Sequence, residues 1–104
     1  MISLDEYVVD VLMRDLVGHD RKPTSFLVYL YLAAEQSRRK APVQMSYQEL
    51  AESIGVSKSA AQAAMSWLMR RELISATRET ITAIPSYTVH RPWSNGAKRT
   101  APGR

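Results

Sequence analysis

The chain has 104 residues, of which 45% are hydrophobic, so it can close one core but leaves no room for a second domain. It contains no cysteine, which excludes a disulfide framework and thiolate chemistry and fits a reducing compartment. Its net charge of +4 is uneven, because residues 1–20 hold five acidic residues and one arginine, whereas residues 21–104 hold 13 lysines or arginines and five glutamates. A polyanion is therefore expected to meet the body of the protein and to avoid its first segment.

The hydrophobic residues do not indicate a membrane protein. The longest apolar run, Phe26 to Ala34, is about half as long as a bilayer-spanning helix needs to be. The N-terminal segment carries Asp5 and Glu6 where a secretory signal would place positive charge. We therefore expect a soluble, unexported, cytoplasmic protein that has no membrane partner.

The first predicted element is an amphipathic helix over Ser3 to Val17, inside the acidic segment at 1–20. Ser3 and Glu6 have the spacing of a capping box, and Gly18 is expected to end the helix in the left-handed conformation. One face is predicted to be buried because apolar residues recur at three- and four-residue steps. These residues are Leu4, Val8, Val11, Leu12 and Leu16.

A second helix is predicted over about Thr24 to Arg38, with Pro23 suited to its first turn. It is apolar on more than one side, so we expect it in the middle of the fold. The basic run Arg38 to Lys40 favours a helix C-terminus, and phosphate contact is its alternative role. The following segment, Ala41 to Met45, is long enough for a short strand only.

Two helices separated by a glycine are predicted at 46–71. Ser46 and Glu49 form a second capping box before a helix over Tyr47 to Ile54, and Ser57 caps a helix that runs to about Arg71. Gly55 between them supplies the positive φ of a tight turn. Their facing sides are predicted to be apolar through Leu50, Ala51, Ile54, Val56, Ala61, Ala64, Met65 and Leu68.

A hairpin is predicted at 73–91, where the pattern changes to that of extended chain. Tyr87 and Val89 have the two-residue spacing of a strand, and Pro85 belongs to the long connecting loop. Trp93 is expected to pack against the body. The basic tail at 94–104 has nothing to bury and is predicted to be disordered.

The pattern Leu50-Ala51-x-x-Ile54-Gly55-Val56-Ser57, followed by MSWLMRRELI and a hairpin, resembles the winged helix-turn-helix domains of bacterial DNA-binding proteins. The resemblance covers about Pro23 to Trp93. It implies one mainly α domain at 1–93 with a small β-hairpin as the wing and an extra N-terminal helix. Two residues depart from the pattern: Glu72 stands where such domains usually have glycine, and Ala61 where they commonly have valine or isoleucine.

The resemblance also implies sequence-preferring binding of double-stranded DNA, with a recognition helix at about 58–71 in the major groove. The biological setting would be transcriptional regulation or the replication and control of a mobile element, and SYTVHRPW is slightly more similar to the replication-related group. Base contacts are then expected at Ser57, Lys58, Ser59, Gln62, Ala63 and Ser66. Phosphate contacts are expected at Ser46, Tyr47, Arg70, Arg71, Arg78 and Arg91, with Lys58 as a further donor.

Two other roles are open at the level of sequence. The alanine-rich recognition face and Trp67 also suit a protein-protein interaction module that uses the same fold without reading DNA. The acidic N-terminal helix should lie away from the phosphates, where it either completes the core or forms a homodimer with a second copy.

Catalysis is not expected from the residue inventory. The two histidines, His19 and His90, are placed in a turn and in a strand, and the glycines form no phosphate-binding loop. The four aspartates at five-residue steps from Asp5 to Asp20 are expected to spread around their helix. We therefore predict no enzyme activity, no metal and no cofactor.

Overall fold

The computed structural model describes residues 5–91 as four helices and one small antiparallel sheet, which confirms a mainly α fold with a β-hairpin. The predicted Ser3 cap, Leu4, Trp93 and the tail at 94–104 lie outside the described residues. Within that range, no helix has the length and the apolar character that a membrane span requires. The elements are an N-terminal helix at 6–19 with π-helical stretches Val8–Leu12 and Arg14–His19, then α1 (Pro23–Arg39), β1 (Val43–Gln44), α2 (Tyr47–Ile54), α3 (Lys58–Arg70), β2 (Ile74–Thr77) and β3 (Ser86–Val89).

The N-terminal helix is wound more loosely than an α-helix. The Met13 N–H, for example, donates to the carbonyl of Val8, five residues earlier. This i→i+5 pattern widens the turn, so residues four apart stay on one face. Val8, Leu12 and Leu16 are buried as predicted, but Val11 is 42% exposed. Its predicted burial is wrong because a three-residue step falls short of the wider turn.

The N-terminal helix also does not end where the sequence predicts. Gly18 lies inside its second stretch without a positive φ, and the helix continues to His19. The Lys22 N–H donates to the Leu16 carbonyl over 2.7 Å, and Arg21 takes the left-handed conformation with φ 58°. The predicted glycine cap is wrong because the turn forms three residues downstream of it.

The helix α1 lies at the centre of the fold, as predicted. It contacts the N-terminal helix, α2, α3, β1 and β3. The Gln36 side chain pairs with both backbone groups of Val89, accepting from its N–H over 2.7 Å and donating to its carbonyl over 3.2 Å. The Tyr29 hydroxyl donates to the His90 carbonyl over 2.9 Å. These bonds attach α1 to β3 beyond the point where the short β1 ends.

The turn between α2 and α3 follows the predicted local signals. Both hydrogen bonds of the Ser46–Glu49 capping box are present, and Gly55 has φ 89°. The Ser57 hydroxyl accepts from the Ala60 N–H over 3.1 Å and caps α3. The joint between the helices is buried through Leu50, Ala51, Ala61, Ala64, Met65 and Leu68, with Ile54 and Val56 half-buried beside it.

The end of α3 has the geometry of a Schellman motif, although no glycine is present. The Leu73 N–H donates to the Leu68 carbonyl over 2.9 Å, and the Glu72 N–H donates to the Met69 carbonyl over 3.0 Å. Glu72 occupies the left-handed position of this motif with φ 60°. The helix therefore ends as it would with glycine, and the glutamate bears the strain of a Cβ in that conformation.

The sheet has the strand order β1-β3-β2, with both pairs antiparallel. The β2–β3 hairpin is the predicted one, with Ile74 opposite Val89 and Pro85 in the long connection. The sheet also contains β1, in which Val43 lies opposite Tyr87. One sheet face is buried because Ile74, Tyr87 and Val89 all point into the core.

Candidate nucleic-acid interface

The outer side of α3 carries the residues that were predicted to contact bases. All six are exposed, and they begin at the capped N-terminus of the helix. The Ser57 hydroxyl is partly engaged, since it caps α3 and lies 3.2 Å from the Ser59 hydroxyl. Lys58 and Gln62 are the longer polar side chains of this side, which they share with Ser59, Ala63 and Ser66.

Trp67 connects α3 to the linker that precedes α1. Its Nε1 donates to Asp20 Oδ2 over 2.9 Å. Lys22 Nζ lies 4.9 Å from the centroid of the indole ring and Arg70 Cζ lies 5.4 Å from it, both within the range of a cation–π contact. Trp67 thus holds two cations beside the outer side of α3.

The linker contributes a basic pair that the sequence did not indicate. Arg21 and Lys22 are exposed, and with the start of α1 they line a shallow depression whose other wall is Ala60, Ala63 and Ala64. Nothing in the sequence places this pair beside α3, because Trp67 is far away along the chain. We call Arg21, Lys22, Lys58, Gln62, Ala63, Ser66 and Arg70 together the α3 surface.

Arg71 differs from its neighbour Arg70. Its guanidinium donates to Asp15 Oδ2 over 2.6 Å and also to Asp20 Oδ2. The pKa of Arg71 is raised above its ordinary value, and the hydrogen bond to Asp15 is the main cause. Burial pushes the pKa of Asp20 upward, but hydrogen bonds from His19 and Trp67 and the charge of Arg71 outweigh it and lower the pKa. Arg71 was predicted to contact a phosphate, but its positive charge is already balanced by the carboxylates of Asp15 and Asp20.

The aspartates at the end of the N-terminal helix come together rather than spreading apart. Asp15, His19 and Asp20 each place a possible ligand atom within 4.8 Å of the others. This contradicts the expectation that they stay separate. The reason is the i→i+5 winding, because the Asp20 N–H donates to the Asp15 carbonyl over 2.8 Å and so brings these two residues together. Because Arg71 donates to both carboxylates, their arrangement is that of an ion-pair network.

The remaining predicted phosphate contacts lie near the hairpin. Ser46 uses its hydroxyl and its N–H in the capping box, and the Tyr47 ring stacks on Tyr87 with centroids 6.5 Å apart. Arg78 is exposed and donates to the Ile81 carbonyl over 3.0 Å within the hairpin loop. Arg91 is exposed two residues after the end of β3. Arg78 and Arg91 are therefore accessible cations, whereas Ser46 faces its own helix.

The two histidines lie in separate surroundings. His19 Nδ1 is 3.0 Å from Asp20 Oδ1, and His90 Nε2 is 2.8 Å from the Ser75 hydroxyl across the hairpin. Neither contact involves the α3 surface, which has six exposed polar or cationic side chains on or beside α3 and no acidic residue between Lys58 and Arg70. Comparisons with protein-family models, with curated proteins and with solved structures found no match to this chain.

Proposed function

We propose that this chain is a winged helix-turn-helix domain that binds double-stranded DNA, with α3 as the recognition helix and the β2–β3 hairpin as the wing. One observation supports this most directly. The outer side of α3 is free of acidic residues and is flanked by the cations Lys22 and Arg70, which Trp67 holds in place. A convex helix with cations along its edge fits the shape and the charge of a major groove.

Base reading would come mainly from two side chains. Lys58 can donate to guanine, and Gln62 can pair with adenine through two hydrogen bonds. Ala63 can contact a thymine methyl group, and the serines on this side reach only a short distance. We therefore propose a preference among sequences rather than strict discrimination, in transcriptional regulation or in the replication and control of a mobile element.

Affinity would come mainly from phosphate contacts. Arg21, Lys22 and Arg70 lie beside α3, and Arg78 and Arg91 lie at the hairpin. We leave Arg71 out of this set because Asp15 and Asp20 balance its charge. About four or five neutralised phosphates give a log-log salt slope of about −4, since each contributes about −0.9.

The salt slope tests the proposal. Titrating random duplex DNA at several salt concentrations should give a log-log slope of about −4. The variant Arg70→Gln should reduce the magnitude of this slope by about one. Arg38→Gln is the matched control, because Arg38 is an exposed cation paired with Glu35 at the far end of α1. Equal loss in both variants would show non-specific attraction to a basic protein, and absence of binding at low salt would refute the proposal.

A protein-interaction module is the second candidate. The indole of Trp67 is only half-buried, and Ile81 in the hairpin loop is 89% exposed, so the surface also offers apolar contacts. Under this alternative, the double variant Lys58→Ala, Gln62→Ala leaves DNA affinity unchanged. Trp67→Ala then abolishes binding of a partner protein. A large loss of DNA affinity in the Lys58, Gln62 variant would favour the recognition helix instead.

A further inference from the structure

The N-terminal helix has two apolar rows, of which the core covers one. Val8, Leu12 and Leu16 form the buried row. One position along, Val9, Met13 and Val17 repeat the same four-residue step, and they are 44%, 38% and 38% exposed. Because the wide helical turn aligns residues four apart, these three side chains form a continuous apolar row at the surface.

The exposed row lies in a shallow groove with a specific lining. Val9, Met13 and Val17 share it with Asp10, Arg14 and Gly18. Gly18 has no positive φ, and a Cβ added there would meet nothing within 4 Å. The fold of one chain therefore does not need glycine at this position, where alanine would favour a helix by about 1 kcal/mol. Glycine does leave the helix backbone open to close approach by another surface.

We propose that this groove binds the same groove of a second copy, so that the protein is a homodimer with the two N-terminal helices antiparallel. The charges favour this occupant. Asp10 and Arg14 are both exposed, carry opposite charges and lie four residues apart on the same helix. An antiparallel two-fold arrangement therefore places each Asp10 against the partner's Arg14. A parallel arrangement would place Asp10 against Asp10.

The apolar row has the same symmetry as the charged pair. Met13 lies midway between Val9 and Val17, so an antiparallel dimer centred there places Val9 of one copy against Val17 of the other. The midpoint of Asp10 and Arg14 is residue 12, one position away. Both sets of contacts can therefore form about a single two-fold axis, which is what an isologous interface requires.

The interface leaves the α3 surface accessible. Asp15, which pairs with Arg71 at the end of α3, lies one position before Leu16, whereas Val17 lies one position after it. The groove is therefore on the flank of the helix opposite to the contact with α3. One helix face per copy is smaller than the roughly 800 Å² that each partner of a standard interface buries, so the dimer is of moderate affinity.

A consequence for DNA rests on the proposed function, although the dimer itself does not. Two copies related by this axis would present two α3 helices to one duplex. If they engage successive turns of the major groove, half-sites lie about 34–36 Å apart and form a palindrome. Because the dimer would bind such a site better than the monomer does, the DNA would also raise the apparent affinity of the two subunits for each other.

Sedimentation equilibrium of the full chain without DNA tests the dimer over a wide range of protein concentration. Val9→Glu should raise the dimer dissociation constant about tenfold or more, because it places a charge opposite the partner's apolar row and beside Asp10. The matched control is Val11→Glu, since Val11 is equally exposed on the other flank of the same helix. It should leave the constant within about threefold.

A charge exchange keeps the test independent of folding defects. Asp10→Arg alone should weaken the dimer, and Asp10→Arg combined with Arg14→Asp should restore it, since the pairs re-form with exchanged signs. A wild-type chain that stays monomeric at every concentration overturns the proposal. So does a dimer that is equally sensitive to Val9→Glu and Val11→Glu, or one that the double exchange leaves broken. None of these measurements contains DNA, so a failure of the proposed DNA binding would not change the result for the dimer.

Discussion

Replacing Glu72 with glycine should stabilise the protein. Glu72 has φ 60° at the left-handed position that ends α3, and its backbone N–H already makes the bond of that motif. A residue with a Cβ pays about 1–2 kcal/mol in this conformation. Glycine avoids that strain but gives the unfolded chain extra freedom worth about 0.5–1 kcal/mol. The difference is a net gain of about 0.5–1 kcal/mol in the free energy of unfolding.

Thermal and urea unfolding measure this gain, and two control variants separate its causes. For a domain of this size the midpoint temperature should rise by about 2–6 °C. Glu72→Ala removes the charge but keeps the Cβ, so it should give little of the gain. Glu52→Gly, at an exposed interior position of α2, should destabilise by about 1 kcal/mol. If Glu72→Ala stabilises as much as Glu72→Gly, charge and not backbone strain is the cause, and the reasoning is refuted.

Three further predictions follow from the hydrogen bonds and ion pairs. Ser46→Ala should lower the free energy of unfolding by about 1 kcal/mol through loss of the α2 cap, whereas Ser46→Asp, which can still cap, should nearly retain it. Because the pKa of Asp20 is lowered in the folded state from 3.8, its stabilising contribution is present above that pH and is lost as the pH falls below it. Arg71→Met should flatten this acid dependence in urea unfolding, and an unchanged curve would contradict the ion pair. Burial raises the pKa of Tyr29 from 10.0 to about 12, so its contribution is complete below pH 10 and is lost as the pH rises from there to about 12. Tyr29→Phe should reduce that alkaline loss and cost about 1 kcal/mol at neutral pH, where the wild-type hydroxyl donates to His90.

Local signals in the sequence were sufficient for α2, the turn after it and the start of α3. Ser46 with Glu49, Gly55 and Ser57 each act on backbone groups within a few residues, so their spacing alone predicts where α2 begins and ends and where α3 begins. The period of apolar residues likewise predicted the buried sides of these helices. DNA binding by α3, and the base and phosphate contacts proposed for it, remain predictions.

The sequence misled where the backbone departed from the standard helix. Placing Val11 on the buried face and Gly18 at the helix end both assumed α-helical winding. The i→i+5 bonds of the N-terminal helix change the rotation per residue, and no composition or spacing signal indicates them. The same winding produces the exposed row of Val9, Met13 and Val17, which periodicity had not singled out.

By itself, the sequence determined the mainly helical class, the caps, the turn at Gly55 and the separation of an acidic first segment from a basic body, because these depend on neighbouring residues or on simple counts. Only the tertiary structure decided which charges remain free. Arg70 and Arg71 are adjacent in the chain, yet Arg70 lies over Trp67 at the surface while Arg71 is held by Asp15 and Asp20. Those partners are 56 and 51 residues away in sequence, and contacts at such separations depend on how the helices pack.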